Sequence, residues 1–380
     1  MQNNAAQRPA AKVSGKQAGQ FVMNNIIVIL ILLFAVFVWV QRPNFISSTN
    51  IRNLFGNTAI RFIIALGVSG CLITRGTDLS AGRTAGFAAC LTAVFMQQQN
   101  YSQRILKSMP EFIQNIADRS ANLYILCVLV IVLLVCAVIG IINGTVVSRL
   151  KVPPFIATLG MQTLVYGMGL VIFGAQPIGS FRPEYLNVAT GYIGKNQLTA
   201  AIKTAQETGA NNLGFLNWLN SAAKLFGYPA LIALLMGVLM WFLYNKMRHG
   251  KYMYSIGGNE TAAEVAGVNV AKSKTLIYML AAVLYGICGF LLASKAAGAN
   301  IGTTGAGYEL EAIAGCTIGG VSVNGGIGRI SGILIGVLVF EVLKIGLQFM
   351  GVKSDWTYVV QGLVIIVAVA LDIRKYLRKK

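Results

Sequence analysis

The chain is laid out as successive apolar runs, each closed by charged or glycine-rich punctuation, and this spacing restricts it to a helical fold inside a membrane. A hydrocarbon core about 30 Å thick is crossed by roughly 20 helical residues. The runs fall at 24–40, 58–74, 84–96, 123–142, 155–173, 228–244, 275–294, 309–322, 329–349 and 357–372. Hydrophobic residues make up 56% of the 380, about 213, and ten spans of roughly 20 would use about 200 of them. Charged residues are 11%, less than half the roughly 25% of soluble domains, and the mean hydropathy is +0.66. A soluble globular protein, a disordered chain and a disulfide scaffold are excluded. Too few polar residues remain to clothe a sizeable catalytic domain. The expected fold is an all-α polytopic membrane protein with about ten transmembrane segments.

Two runs, 84–96 and 309–322, are too short for simple spans, and both adjoin glycine-rich breaks. Ile73-Thr-Arg-Gly-Thr-Asp-Leu-Ser-Ala-Gly-Arg83 leads into an apolar run ending at Phe95. Ile318-Gly-Gly-Val-Ser-Val-Asn-Gly-Gly-Ile-Gly-Arg329 leads into another ending at Phe340. The fold class therefore includes two Gly-rich interrupted pairs. Irregular backbone at membrane depth survives only where protein or a water-filled cavity satisfies its polar groups. Paired interruptions in two halves point to a transport pathway. Arg75, Thr77, Asp78 and Ser80 at the first break, with Ser322 and Asn324 at the second, are the candidate pathway residues. Asp78 can pair with Arg75 or Arg83, so it reads equally as a structural ion pair or a pathway group. Glu309 and Glu311 open the eighth run. Glu341 and Lys344 stand three apart on one helical face and read as a mutually neutralising pair.

The net charge of +19 belongs to the loops and tails of a membrane protein and not to nucleic-acid binding, because Lys and Arg collect on cytoplasmic segments and meet anionic lipid there. The tail 1–23 carries Arg8, Lys12 and Lys16; the tail 373–380 carries Arg374, Lys375, Arg378, Lys379 and Lys380. Both ends are expected on the cytoplasmic side of one transmembrane domain, 24–372. Inner loops then include Arg149–Lys151 and the segment 245–274, while Arg42 and Arg52 fall on the other side. The outer loop 174–227 is long enough to fold as an external cap, or to be a tolerated insertion.

Chemistry-bearing motifs are scarce. Cys71, Cys90, Cys127, Cys136, Cys288 and Cys316 lie in apolar runs without CxxC spacing and read as buried thiols. His249, the single histidine, sits in a basic cluster and reads as an interfacial polar residue. No HExxH, GxSxG or GxxxxGK[ST] occurs, so no catalytic residue, metal site or P-loop nucleotide site is assigned. The informative stretch is Tyr254–Val270. Asn259 suits an N-cap and Glu260 the positive end of a helix. Ala262, Ala263 and Ala266 favour helix without bulk, and Gly267 suits the stop. Two turns cannot persist alone in water. The segment either docks into a groove on a partner or is an ordinary capped loop.

Several stretches are similar to the permease subunits of bacterial ATP-binding-cassette (ABC) importers of the ribose, galactose, arabinose and xylose group. They are Arg61-Phe-Ile-Ile-Ala-Leu-Gly-Val, Thr77-Asp-Leu-Ser-Ala-Gly82, Gly140-Ile-Ile-Asn-Gly144, Val152-Pro-Pro-Phe-Ile-Ala-Thr-Leu-Gly160, Ile256-Gly-Gly-Asn-Glu260, Ala266-Gly-Val-Asn-Val270, Gly307-Tyr-Glu-Leu-Glu-Ala-Ile-Ala314 and Gly319-Gly-Val-Ser322. The stretch around Asp78 most resembles the galactose/methyl-galactoside members. The resemblance implies a transport subunit, not an enzyme, in the bacterial cytoplasmic membrane. It implies a homodimeric pore, a separate ATPase that binds ATP and Mg, and an external sugar-binding protein. Under it, Gly257, Gly258, Asn259, Glu260, Ala263, Glu264 and Gly267 belong to the segment that couples to the ATPase. The tail 1–23 and the loop 174–227 depart from those relatives. Other pentoses, hexoses or nucleosides remain alternative cargoes. An ion-coupled transporter working alone would need Asp78, Glu309 or Glu311 as its site, and a non-transporting scaffold is the third reading.

Overall fold

The computed structural model describes residues 26–102, 105–106, 115–116, 119–208 and 213–377. The basic residues of the N-terminal tail, and 378–380 of the C-terminal one, lie outside the described residues. The rest is helical: α1 Ile26–Gln41, α2 Ser48–Ile73, α3 Ala81–Met96, α4 Ala121–Ser148, α5 Pro154–Phe173, α6 Pro183–Thr190, α7 Lys195–Thr208 and α8 Leu213–Leu225 come first. Then follow α9 Tyr228–Lys246, α10 Arg248–Gly258, α11 Glu260–Val265, α12 Val270–Ala296, α13 Tyr308–Ile318, α14 Ile330–Phe349 and α15 Ser354–Leu377. Among the described residues 7 helices (α2, α4, α5, α9, α12, α14 and α15) are long and apolar enough to cross a membrane. The apolar 16-residue helices α1 and α3 and the 11-residue α13 fall on the other three expected runs.

Some boundaries differ from the hydropathy reading, for physical reasons. Helix α2 begins ten residues before the expected 58, because Ser47 caps it, its Oγ accepting from the Asn50 amide at 3.4 Å. Its first turns are polar and carry no hydropathy signal. The loop 174–227 is not irregular: α6, α7 and α8 build a helical cap. Tyr185 pins the cap to the bundle, fully buried and donating to the Phe290 carbonyl at 2.6 Å.

Helix α12 is the central post, packed against α4, α3 and α2. Without a hydrophobic drive between helices in lipid, close backbone approach supplies the attraction. At Gly140 on α4, an added Cβ would stand 2.6 Å from the Tyr278 carbonyl oxygen and 2.7 Å from Ala282 Cβ of α12. Cys71, Cys90, Cys136, Cys288 and Cys316 are buried and Cys127 is half-buried.

The two interruptions are not the pair expected. After α2, residues 74–80 turn back, and the short α3 starts from there. After α12, residues 297–307 turn back likewise, and the short α13 starts at Tyr308. The two starts meet: Gly305 and Glu309 press against Gly82, and Thr304 against Gly86, where no Cβ would fit. The counterpart of the 73–83 break is therefore 297–307. The 318–329 break is instead a turn linking α13 to α14. Its glycine wording resembles the first break, but its place in the fold does not.

Candidate functional site

The segment 245–274 holds a helix pair, α10 and α11. The basic cluster expected as loop is the first turn of α10, whose Gly258 end leads into α11 through Asn259. The Asn259 side chain accepts from the Ala262 amide at 3.0 Å, and Gly267 takes φ +84° after the helix, as expected for a cap and a stop. Ile256, Ala263 and Val270 are buried together as a small separate core. Glu260 pairs with Lys274 of α12 at 2.6 Å, fixing α11 to the base of the central post. Thr261, Ala262, Glu264 and Ala266 face outward, and Val265, an aliphatic side chain, is 85% exposed.

Beneath this pair, three chain regions meet. Arg75 adopts φ +60°, a conformation that costs an L-residue roughly 1–2 kcal/mol, and its guanidinium reaches the C-terminus of α10. There Nε donates to the Gly257 carbonyl and Nη2 to the Gly258 carbonyl, each at 2.8 Å. These are two of the orphan carbonyls that end any helix, and a cation there is favoured by the dipole. Gly257 itself packs so closely that a Cβ would overlap the Ile73 carbonyl oxygen and approach the Gly326 amide. The Gly326 amide donates to Ile73 at 2.8 Å, and the Tyr254 hydroxyl donates to Gly328 at 2.9 Å. The α2–α3 break, the α13–α14 turn and the α10–α11 pair thus form one junction.

The expected pathway residues separate into three places. Arg75 belongs to the junction. Asp78 and Ser80 are buried with Asn143 and Tyr285. Asp78 Oδ1 accepts from the Ser80 amide at 2.9 Å and hydroxyl at 2.6 Å, Oδ2 accepts from Tyr285 at 3.2 Å, and Asn143 donates to Ser80 at 3.3 Å. The expected ion pair of Asp78 is not formed. Arg75 is spent on α10, and Arg83 donates to the carbonyls of Ile301 and Gly302 at 3.0 and 2.9 Å while covering the Tyr166 ring. Thr77 is half-buried beside this group, its carbonyl accepting from Thr158 at 3.1 Å. Ser322 and Asn324 lie elsewhere, in the α13–α14 turn. Ser322 donates to Asp372 of α15 at 3.2 Å, and the Asn324 amide donates to Ser322 at 3.2 Å.

The Glu341–Lys344 pair is also corrected. Both side chains point into the seam between α2, α13 and α14, but each finds another partner. Lys344 meets Glu311 at 2.8 Å, Glu341 lies 3.2 Å from Arg61 Nε, and Arg61 donates to Glu311 at 2.6 Å. Asn57 donates to Glu341 at 2.8 Å. Arg61, a bulky cation early in an apolar run, was the missed residue; its signal was two acids, Glu311 and Glu341, against the single cation Lys344, which leaves one acid in want of a partner in hydrocarbon. His249 is half-buried in the first turn of α10, with Nε2 unpartnered.

Residues 50–369 match the family described as branched-chain amino acid transport system / permease component. The chain belongs to this family. It is similar to the galactose/methyl galactoside import permease protein MglC of Escherichia coli, 38% identical over 94% of this chain and 95% of that one. The protein of the same name from Haemophilus influenzae is 37% identical over 94% and 96%. The ribose import permease protein RbsC of Bacillus subtilis is 32% identical over 91% of each. No solved structure matches. The matched residues take in the junction, α3, α13 and the whole of α10 and α11.

Proposed function

We propose that this permease carries a monosaccharide inward across the bacterial cytoplasmic membrane, driven by a separate ATPase that binds ATP and Mg, with galactose or a methyl galactoside as cargo. The carrying observation is α11, a two-turn helix with an outward aliphatic Val265 on a base bolted to both glycine-rich turns. An ATPase seated on α11 would push α10, and through Arg75 and Gly257 displace the ends of α2 and the α13–α14 turn together. Asp78, Ser80, Asn143 and Tyr285, behind the α3 start, would then feel the movement first. Two copies would form the pore, and an external sugar-binding protein would deliver the cargo to the side bearing α6–α8.

The same geometry supports cytoplasmic termini. Asp372, near the C-terminus, binds the α13–α14 turn on the coupling side. Helix α2 runs toward that side and α1 before it returns from it, so both ends share it with the basic residues Lys246, Arg248 and Lys251. The ion-coupled alternative has fewer free groups than the sequence suggests, since Glu311 is held by Arg61 and Lys344.

The test is reconstitution. Proteoliposomes holding the permease, its ATPase and its binding protein should accumulate galactose only with ATP inside the coupling-side compartment. Accumulation by the permease alone under a proton or sodium gradient would overturn the reading.

A further inference from the structure

At the end of the bundle away from the coupling pair, α8 lies beside the ends of α2, α9 and α12. Its sequence sorts by face. Phe215, Trp218 and Leu219 share one side by their spacing of three and four and are 62%, 64% and 37% exposed. The Phe215 and Trp218 rings stack at 6.0 Å, and Phe226 extends the stripe, 63% exposed. Asn217, Asn220 and Lys224 form the opposite face and line a cavity of about 640 Å³ between α8, α7 and the span ends.

That cavity is one-signed. Arg52 from the first turns of α2, Lys195 from α7, Lys224 from α8 and Lys295 from the last turn of α12 all line it, and no carboxylate does. None of the four is in an ion pair among the described residues. Lys195 is held by Asn187 at 2.9 Å and Lys295 by Asn57, both neutral amides, while Lys224 stands 6.0 Å from the Tyr192 ring centroid. Tyr192, buried at the base, donates to Asn220. Asn57 in turn donates to Glu341 at 2.8 Å, so Lys295 has a carboxylate one residue away. Arg52, Lys195 and Lys224, with no carboxylate in the lining, repel one another unless an anion joins them. A neutral sugar supplies none.

We propose that this cavity is a binding site for the phosphodiester headgroup of an anionic phospholipid in the leaflet opposite the coupling segment. The pairing of features decides the class of ligand. An aromatic stripe on an amphipathic helix beside span ends is the arrangement that rests at the boundary between headgroups and acyl chains. The cationic face then turns toward the phosphate level. The site also gives a role to Arg52, which falls on the side opposite the basic inner segments. The inference does not rest on the transport reading; it concerns the α6–α8 cap whatever the cargo.

Native mass spectrometry of the full permease, titrated with phosphatidylglycerol or phosphatidylcholine in detergent, tests it. Phosphatidylglycerol should bind with a saturable site that Arg52→Gln with Lys224→Gln weakens roughly 25-fold, at about fivefold per surface charge. Trp218→Ser should weaken it too. Arg52→Gln alone, at an exposed position, serves if the double variant fails to fold. Equal binding of phosphatidylcholine, or no change in either charge variant, would overturn the proposal. So would displacement of the lipid by inorganic phosphate at matched concentration, which would mark a free-anion site.

Discussion

Arg75 and Gly257, 182 positions apart in sequence, are joined by a 2.8 Å hydrogen bond from the guanidinium Nε to the peptide carbonyl. The contact ties a glycine-rich break between two membrane helices to the end of the helix that leads into α11. Its neighbours leave it little freedom. Arg75 holds a second carbonyl, at Gly258, and Gly257 is wedged against Ile73 and Gly326.

Removing the guanidinium should therefore separate ATP hydrolysis from transport. Hydrogen bonds to charged groups contribute about 1.5–3 kcal/mol each, and Arg75→Ala loses two. Uptake should fall about tenfold or more, while the permease still inserts and its ATPase still turns over without regard to sugar. Arg75→Lys should recover part, since one ammonium cannot fork to both carbonyls. Parallel assays of uptake and sugar-stimulated ATP hydrolysis check this; normal coupling in Arg75→Ala would contradict it.

Adjacent glycines should behave oppositely. A Cβ at Gly257 overlaps the Ile73 carbonyl, whereas nothing stands within 4 Å of one at Gly258. Gly257→Ala should cost about 1–3 kcal/mol through forced backbone movement and lower the melting temperature in detergent. Gly258→Ala should leave stability unchanged. Gly258→Trp should fold and yet lose uptake, because the added bulk occupies the surface offered to the ATPase. Equal thermal stability of the two alanine variants would show that the junction is loose.

The ionic seam gives a stability prediction. Arg61, Glu311, Glu341 and Lys344 are mutually paired between α2, α13 and α14. Glu311→Gln leaves Lys344 without its acid, and breaking such a pair costs about 3–5 kcal/mol. Adding Lys344→Gln should return part of the loss, since Arg61 keeps Glu341. A thermal-shift series on the single and double variants checks the sign of this coupling.

His249 sets a pH dependence outside the spans. It lines a small pocket with Tyr244, Met253 and Ile277, and burial holds its pKa below the ordinary 6.5. The fold thus prefers the neutral imidazole. Below the ordinary value the unfolded chain binds a proton that the folded chain refuses, so stability present at neutral pH declines on acidification until folded His249 is itself protonated. Melting temperature measured from about pH 7.5 down to about pH 5.5 should fall more steeply for wild type than for His249→Phe.

Much of the architecture was legible because hydrocarbon imposes long uncharged runs, and Asn259, Ala263 and Gly267 announce their helix by cap, packing residue and stop. Hydropathy misses what is not apolar: the polar opening turns of α2 after Ser47, the basic α10, and the α6–α8 cap. Spacing on one helix suggested that Glu341 meets Lys344, but partners on other helices outcompete it, and no local pattern reports Arg61. The two breaks look alike in order, a Gly/Ser stretch, an Arg and then an apolar run, whereas the structural counterpart of 73–83 is 297–307, identified by where Gly305 meets Gly82. Asp78 was readable as important and unreadable as to partner, since Arg75 turns away from it through a left-handed backbone.

The most direct measurement is photo-crosslinking from position 265 in the purified permease–ATPase complex. Val265 is the aliphatic face that α11 presents, and a photoreactive residue there should crosslink to the ATPase in high yield. The same residue at Val40 on α1, which is 71% exposed, should not. A crosslink from Val40 and none from Val265, with ATP-driven uptake intact, would contradict the assignment of α11 as the point where work enters the permease.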